Sequence, residues 1–211
     1  MDASFWHKRW ELGETSFHEE QANGLLIKYF GMLNLMKGSR VFVPLCGKTQ
    51  DIPWLLTQGY EVVGAELSEI AVKELYEGLG IEPVISNKGS LIHYQGENID
   101  IFVGDIFDMT ADNLKLVDAV YDRAALVALP QPMRDQYTVH LIKITETAPQ
   151  LMICFEYDQS VMKGPPFSVS AKEVLGHYDS TYSLSLLESR DVEGGLKGNA
   201  MATEMVWLLT D

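Results

Sequence analysis

Basic residues are scarce in this chain. Lys and Arg together number 16 against 30 Asp and Glu, for a net charge of −14. A surface of that sign repels phosphate backbones and anionic bilayers, which argues against nucleic acid and membrane as partners. Cysteine is nearly absent. Cys46 and Cys154 each fall at or near a predicted core strand, and isolated buried thiols fit a reducing cytoplasm better than a disulfide scaffold. No apolar run reaches the length of a membrane span, and residues 1–8 lack the apolar core of a signal peptide. Familiar catalytic signatures are missing too. There is no G-x-G-x-x-G and no G-x-S-x-G. Gly47-Lys48-Thr49 mimics the end of a phosphate loop, but Phe42 stands where that loop needs its first glycine. His7, His18, His93, His140 and His177 are dispersed without metal-ligand spacing, so no metal is expected.

What is present is an alternation of strands and helices, organised around Arg40-Val41-Phe42-Val43-Pro44-Leu45-Cys46-Gly47-Lys48 and Val62-Val63-Gly64-Ala65-Glu66. Each reads as a short buried strand. The first breaks at Pro44 and turns at Gly47; the second ends in a carboxylate. Glu66 follows Gly47 by 19 positions, near the spacing at which doubly wound folds place an acid on a ribose. A carboxylate offers two oxygens to a pair of alcohols. Leu45 and Cys46 keep the backbone from approaching a pyrophosphate closely. The pair of segments therefore suits a nucleoside ligand without a diphosphate, S-adenosylmethionine (SAM) being the obvious one. An ordinary α/β turn beside a solvated Glu explains the same two segments.

Strands are predicted at 40–44, 61–66, 99–103, 117–122 and 151–157, with helices at about 49–58, 69–79 and 132–148. Ser68 and Gly80 bracket the second of these helices, with Ile70, Leu75 and Leu79 turned inward. Residues 83–95 read as a hairpin excursion turning at Asn87-Lys88-Gly89-Ser90. A loop containing Lys163-Gly164-Pro165-Pro166-Phe167-Ser168 leads to a helix capped by Ser170-x-x-Glu173. Two last strands, at about 181–189 and 201–209, have no room for a helix between them and must form an antiparallel hairpin. The expected fold is α/β: a doubly wound, mostly parallel seven-stranded sheet with a C-terminal hairpin, in one domain spanning 1–211. That layout suits a SAM-dependent methyltransferase better than a dinucleotide dehydrogenase, which more often has six parallel strands. Ahead of the first strand, Phe5, Trp6 and Trp10 have helical spacing, and Ser16-x-x-Glu19 is expected to open a helix through Leu25, Leu26, Ile27, Tyr29 and Phe30. Residues 1–37 are thus either a helical layer on the sheet or a cap whose Trp10 covers the ligand.

In such sheets ligands bind beyond the carboxyl ends of the strands. That rule collects Pro44, Leu45 and Gly47 from the first strand, Glu66 from the second, and Asp105 and Ile106 from the third. It adds Asp122 and Arg123 from the fourth, and Glu156 and Tyr157 from the fifth. Glu66 is expected to hold the ribose hydroxyls. Asp105 accepts from the adenine amino group or, equally, caps a helix, and Ile106 packs on the ring. Arg123 ends a buried strand and precedes the apolar run Ala124-Ala125-Leu126-Val127-Ala128-Leu129, so its permanent charge needs an anion. The candidates are the cofactor carboxylate, an anionic substrate, or an internal pair with Asp122 or Glu66.

These residues resemble one family, the thiopurine S-methyltransferases in their bacterial form. The resemblance covers essentially the whole chain. It is carried by Trp10-Glu11 with Gly13, Thr15-x-Phe17-His18, Phe42-Val43-Pro44-Leu45-Cys46-Gly47-Lys48, Gly64-x-Glu66-Leu67-Ser68, Ile106-Phe107-Asp108, Tyr121-Asp122-Arg123-Ala124-Ala125-Leu126-Val127-Ala128-Leu129 and Gly164-Pro165-Pro166-Phe167. It implies a Rossmann-like class I methyltransferase fold and SAM as cofactor, with S-adenosylhomocysteine (SAH) as product. It further implies that Trp10, Leu45, Glu66 and Arg123 contact SAM, with Asp105 and Ile106 at the adenine, and that the protein is a monomer. The expected partner is a small thiol, aromatic or heterocyclic. A thiolate attacks the methyl carbon in line, and Arg123 orients it as the catalytic residue. The Phe5-to-Phe17 segment and the Pro165-Pro166-Phe167 loop supply apolar walls. Related enzymes methylate selenium or tellurium compounds, so metalloid detoxification is the first alternative; a non-catalytic SAM-binding protein is the second.

Overall fold

Residues 3–14, 19–198 and 200–211 are described by a computed structural model of the chain. Its centre is a parallel sheet of the five expected strands: β1 (Arg40–Val43), β2 (Glu61–Glu66), β5 (Ile99–Val103), β6 (Ala119–Arg123) and β7 (Gln150–Tyr157). The intervening β3 (Val84–Lys88) and β4 (Leu91–Gly96), and the C-terminal β8 (Ser183–Asp191) and β9 (Ala202–Thr210), complete it. The spatial order is β3-β4-β5-β2-β1-β6-β7-β9-β8. From β1 the chain steps outward through β2 to β5, then returns to lay β6 on the other flank of β1. The order therefore reverses between β1 and β6, and the crevice beyond their carboxyl ends is the natural ligand position.

Both edges of the sheet are antiparallel hairpins. The C-terminal one was expected: β9 pairs with β7, and β8 with β9. The other corrects the sequence reading. Residues 83–95 do form the expected hairpin, β3 pairing with β4, but not as an excursion, because β4 pairs along its length with β5, from Ile92 opposite Val103 to Gly96 opposite Ile99. Among the described residues the sheet thus has nine strands rather than seven. The outermost, β3, is exposed at every residue, so its sequence carries no alternation to mark it as part of a core sheet.

The helices are α1 (Ala3–Glu11), α2 (Gly24–Tyr29), α3 (Asp51–Thr57), α4 (Glu69–Leu79), α5 (Ala111–Leu114), α6 (Gln131–Ile144) and α7 (Ala171–Tyr178). Alternate strand residues feed two core layers. Phe42, Val63, Phe102 and Met152 face Tyr137, Leu141 and Val174 on one side. Val41, Val62, Ile101 and Ile153 face Leu25, Ile52 and Leu75 on the other. That division is what a sheet covered by helices on both faces requires. Ser68 caps α4 through the Ala71 amide, and Gly80 ends it in the left-handed conformation. Leu75 is buried as expected, but Ile70 points outward, 39% exposed. Ser170 caps α7 by accepting from the Glu173 amide at 3.2 Å. The Ser16-x-x-Glu19 box does not stand as expected: Ser16 lies outside the described residues, Glu19 is not helical, and α2 starts at Gly24 with Asn23 as its cap. Asn23 was the better signal, since its Oδ1 accepts from the Leu25 and Leu26 amides.

Candidate functional site

The turn after β1 and the tip of β2 form one hydrogen-bonded unit. Leu45 and Gly47 both adopt left-handed backbone, at φ 47° and 54°, which for Leu costs on the order of 1–2 kcal/mol. Bonds on either side hold that strain. The Cys46 amide donates to the Ala65 carbonyl at 2.9 Å, and the Gly47 amide donates to Glu66 Oε2 at 2.7 Å. Glu66 Oε1 accepts from the Ser68 amide at 2.7 Å. The Glu66 carboxylate is therefore buried, fixed between two backbone donors, and still has lone pairs to offer. Burial raises its pKa, and the Ser68, Gly47 and Leu67 amides oppose that rise. Gly64, two residues upstream, has no room for a side chain: a Cβ there would meet Ile101 Cδ1 at 2.6 Å and Cys46 Sγ at 2.9 Å. The Cys46 thiol fills that space, and burial, reinforced by Glu66, pushes its pKa well up. This is a packing cysteine and not a nucleophile.

Trp10 reaches the same turn from α1. It is 6% exposed, and its ring lies 3.3 Å from where a Gly47 Cβ would stand. Lys48 sits between the two regions, with Nζ 5.9 Å from the Trp10 ring centroid and 2.6 Å from Glu74 on α4. The sequence left Trp10 either on the sheet or over the ligand turn; it lies over the turn. Phe17, part of the same expected wall, lies outside the described residues.

At the end of β5, Asp105 caps a short 3-10 turn (Ile106–Asp108), accepting from the Phe107 amide at 3.0 Å. It is exposed, so its remaining acceptor capacity faces outward. Ile106 is 4% exposed within the core layer that contains α6, and His140 Nε2 donates to its carbonyl at 2.9 Å.

Arg123 ends β6 and pairs with neither Asp122 nor Glu66. One terminal nitrogen lies 3.2 Å from Asp51 Oδ2 and the other 2.6 Å from Glu19 Oε1. Burial disfavours its charge, but Asp51, Tyr121 and Glu19 outweigh that and raise its pKa. Asp51 is the residue sequence reasoning missed. It is buried, accepts from the Asn23 amide at 2.7 Å and from Tyr121 Oη at 3.1 Å, and so ties the cap of α2 to Arg123. The available signal was an acid opening an otherwise apolar helix, Asp51-Ile52-Pro53-Trp54-Leu55-Leu56. Asp122 turns the other way. It accepts from the Leu126 amide at 3.0 Å and Tyr137 Oη at 2.7 Å, which secures the turn through Ala124, at φ 61°. Burial pushes its carboxyl up to about 6.

The loop after β7 closes over the run that follows Arg123. The Phe167 amide donates to the Val127 carbonyl at 2.6 Å, and Tyr157 Oη donates to the Pro166 carbonyl at 2.6 Å. A groove of about 530 Å³ lies beside this loop, lined by Pro130, Arg134, Phe167 and Glu173. Glu156, also singled out at the end of β7, accepts weakly from the Ala171 amide at 3.4 Å and so belongs to the start of α7. The structure thus brings Trp10, Leu45, Gly47 and Glu66 together, and sets Arg123 at the switch point with Asp51 and Glu19. Among the described residues, no helix is long and apolar enough to cross a membrane.

The donor set matches a SAM-like ligand. Glu66 has lone pairs for a diol, Asp105 an outward acceptor for an amino group, and Arg123 a guanidinium that already binds a carboxylate, that of Glu19.

A family model described as thiopurine S-methyltransferase matches residues 1–210. A protein of Xanthobacter autotrophicus named thiopurine S-methyltransferase is 51% identical over 99% of this chain and 99% of its own. One of the same name from Gluconobacter oxydans is 50% identical over 98% and 94%. Among solved structures, a 1,6-didemethyltoxoflavin-N1-methyltransferase of Burkholderia thailandensis, with bound 1,6-didemethyltoxoflavin and SAH, superposes with a TM-score of 0.66. It shares 15% identity over 99% of this chain and 87% of that one, a likeness of fold.

Proposed function

The chain belongs to the thiopurine S-methyltransferase family, and on that premise we propose that it methylates the sulfur of small aromatic or heterocyclic thiols such as thiopurines, using SAM. The observation that carries this reading is the Glu66 carboxylate, buried at the tip of β2 and bound to the glycine turn of β1. When bound, SAM supplies a methyl group already activated by its sulfonium, open to in-line displacement by an ionised thiol.

The chain's own residues then align, shield and orient. Glu66 receives the ribose hydroxyls on its spare lone pairs. Leu45 and Gly47 give the turn its bulk and its bend. Asp105 and Ile106 stand at the adenine, and Trp10 covers the turn from α1. Arg123 exchanges Glu19 for a ligand anion while Asp51 stays in place. Its positive charge favours the thiolate over the thiol, which lowers the need for a general base. Holding two reactants at attack distance contributes up to about 7–11 kcal/mol. Residues 1–37 act as a helical cap on a single domain, the Pro165-Pro166-Phe167 loop forms an apolar wall, and the protein works as a cytoplasmic monomer.

The test is a methyl-transfer screen with labelled SAM over 6-mercaptopurine, benzenethiols, selenite and tellurite. Label on the thiols supports the reading. Label on the oxyanions alone assigns metalloid methylation instead, and binding of SAM without any labelled product identifies a non-catalytic binder.

A further inference from the structure

His140, on α6, takes no part in the chemistry above, yet it is bound to the turn that follows Asp105. Its Nε2 lies 2.9 Å from the Ile106 carbonyl. A carbonyl only accepts, so that nitrogen carries the proton. The His140 ring also lies 5.7 Å from the ring of Phe107, at an interplanar angle of 57°.

The turn is otherwise tied to itself. The Asp108 amide donates to the Asp105 carbonyl at 3.0 Å, the Met109 amide to the Ile106 carbonyl at 3.2 Å, and the Phe107 amide to Asp105 Oδ1 at 3.0 Å. Among the described residues these are the other hydrogen bonds of residues 105–109, and none reaches another element. Ile106 and Met109 are buried, but apolar packing is non-directional. It holds the turn down without fixing which way its polar groups face. A hydrogen bond does fix that, because it weakens steeply as the N–H···O angle closes. With Oδ1 committed to Phe107, Asp105 has Oδ2 left for a ligand, and the direction of Oδ2 follows the orientation of the turn.

We propose that His140 is a positioning residue for the cofactor. By donating to the Ile106 carbonyl it holds the turn at the angle at which Asp105 Oδ2 receives the adenine amino group. It thereby sets the preference for adenine over a base with a carbonyl in place of that amino group, since a carboxylate offers such a carbonyl no proton. This rests on the reading of Asp105 and Ile106 as adenine contacts.

The experiment measures dissociation constants by calorimetry for SAH and for S-inosylhomocysteine, which carries that carbonyl, in the wild type, His140→Leu and His140→Gln. Wild type is expected to prefer SAH by about tenfold or more. His140→Leu should cut that preference about three- to tenfold, and His140→Gln, whose side-chain amide donates from a similar reach, should restore it. In turnover His140→Leu should raise KM for SAM and leave kcat at saturating SAM unchanged. An unchanged preference in His140→Leu, an equal loss for both ligands, no recovery in His140→Gln, or a fall in kcat at constant KM overturns the proposal. Should circular dichroism show His140→Leu unfolded, His140→Asn, polar but too short to reach Ile106, takes its place with the same expectations. If the wild type binds the two ligands alike, the amino-group role of Asp105 fails separately. SAH affinity then decides His140: a loss in His140→Leu that His140→Gln recovers supports it, and equal affinity overturns it.

Discussion

Glu19 holds a carboxylate oxygen 2.6 Å from the Arg123 guanidinium, with a side chain 52% exposed, whereas Asp51 holds the other nitrogen from a side chain 2% exposed. Arg123 therefore has one permanent partner and one that solvent can replace. An incoming anion must displace Glu19, and an exposed pair of this kind contributes about 0.2–1 kcal/mol. Glu19→Gln is expected to tighten SAH binding by up to about fivefold. Unchanged affinity would mean that the Glu19 carboxylate does not compete with the ligand.

Arg123→Met removes the cation itself. Loss of a charge-assisted hydrogen bond costs about 1.5–3 kcal/mol, so kcat/KM for a thiopurine should fall about ten- to a hundredfold. A rise in KM for SAM at constant kcat assigns Arg123 to the cofactor carboxylate; a fall in kcat at saturating SAM assigns it to the thiolate. Wild-type values in both would remove Arg123 from the mechanism.

Gly64 is fixed by crowding. A methyl group there overlaps Ile101 Cδ1 at 2.6 Å and Cys46 Sγ at 2.9 Å, and overpacking of this kind costs about 1–3 kcal/mol. Gly64→Ala should lower stability in urea denaturation by that amount. Ile101→Val deletes the clashing Cδ1, so the Gly64→Ala/Ile101→Val double variant should lose less than the sum of the single losses. Additive losses would show that Ile101 is not the obstacle.

Asp122 gives a pH dependence of defined sign. Its folded pKa, about 6, lies above the unfolded value of about 3.9, so the folded protein holds this proton more tightly than the unfolded chain. The ionised side chain is a cost absent below the unfolded value and fully present above the folded one. Asp122→Asn escapes that cost and keeps an acceptor for the Leu126 amide. Its stability relative to wild type should rise on the order of 2–3 kcal/mol between pH 4 and pH 7. A pH-independent difference in denaturation midpoints would contradict this.

Where an element buries a simple pattern, the sequence showed it. Strands 61–66 and 99–103 and helix 69–79 stand as expected, because their apolar residues face a core and Ser68 and Gly80 mark the helix ends. The β3–β4 hairpin stands as expected, but its membership in the main sheet was missed: β3 is exposed at every residue, and β4 joins by pairing with β5. In the site, Glu66 was legible from its spacing to Gly47, a local property of one βαβ unit. The partners of Arg123 were not. Asp51 lies 72 positions away and Glu19 farther still, and only the fold brings them together.

The most direct measurement is a calorimetric titration of the wild type and of Glu66→Ala with SAH and with SAH lacking the ribose 2′-hydroxyl, each protein first shown to be folded by circular dichroism. Wild type is expected to bind SAH, removal of the hydroxyl to weaken this by about tenfold or more, and Glu66→Ala to bind the two ligands alike. Absence of heat with SAH in the wild type, or a hydroxyl whose contribution is the same with and without the Glu66 carboxylate, would contradict it.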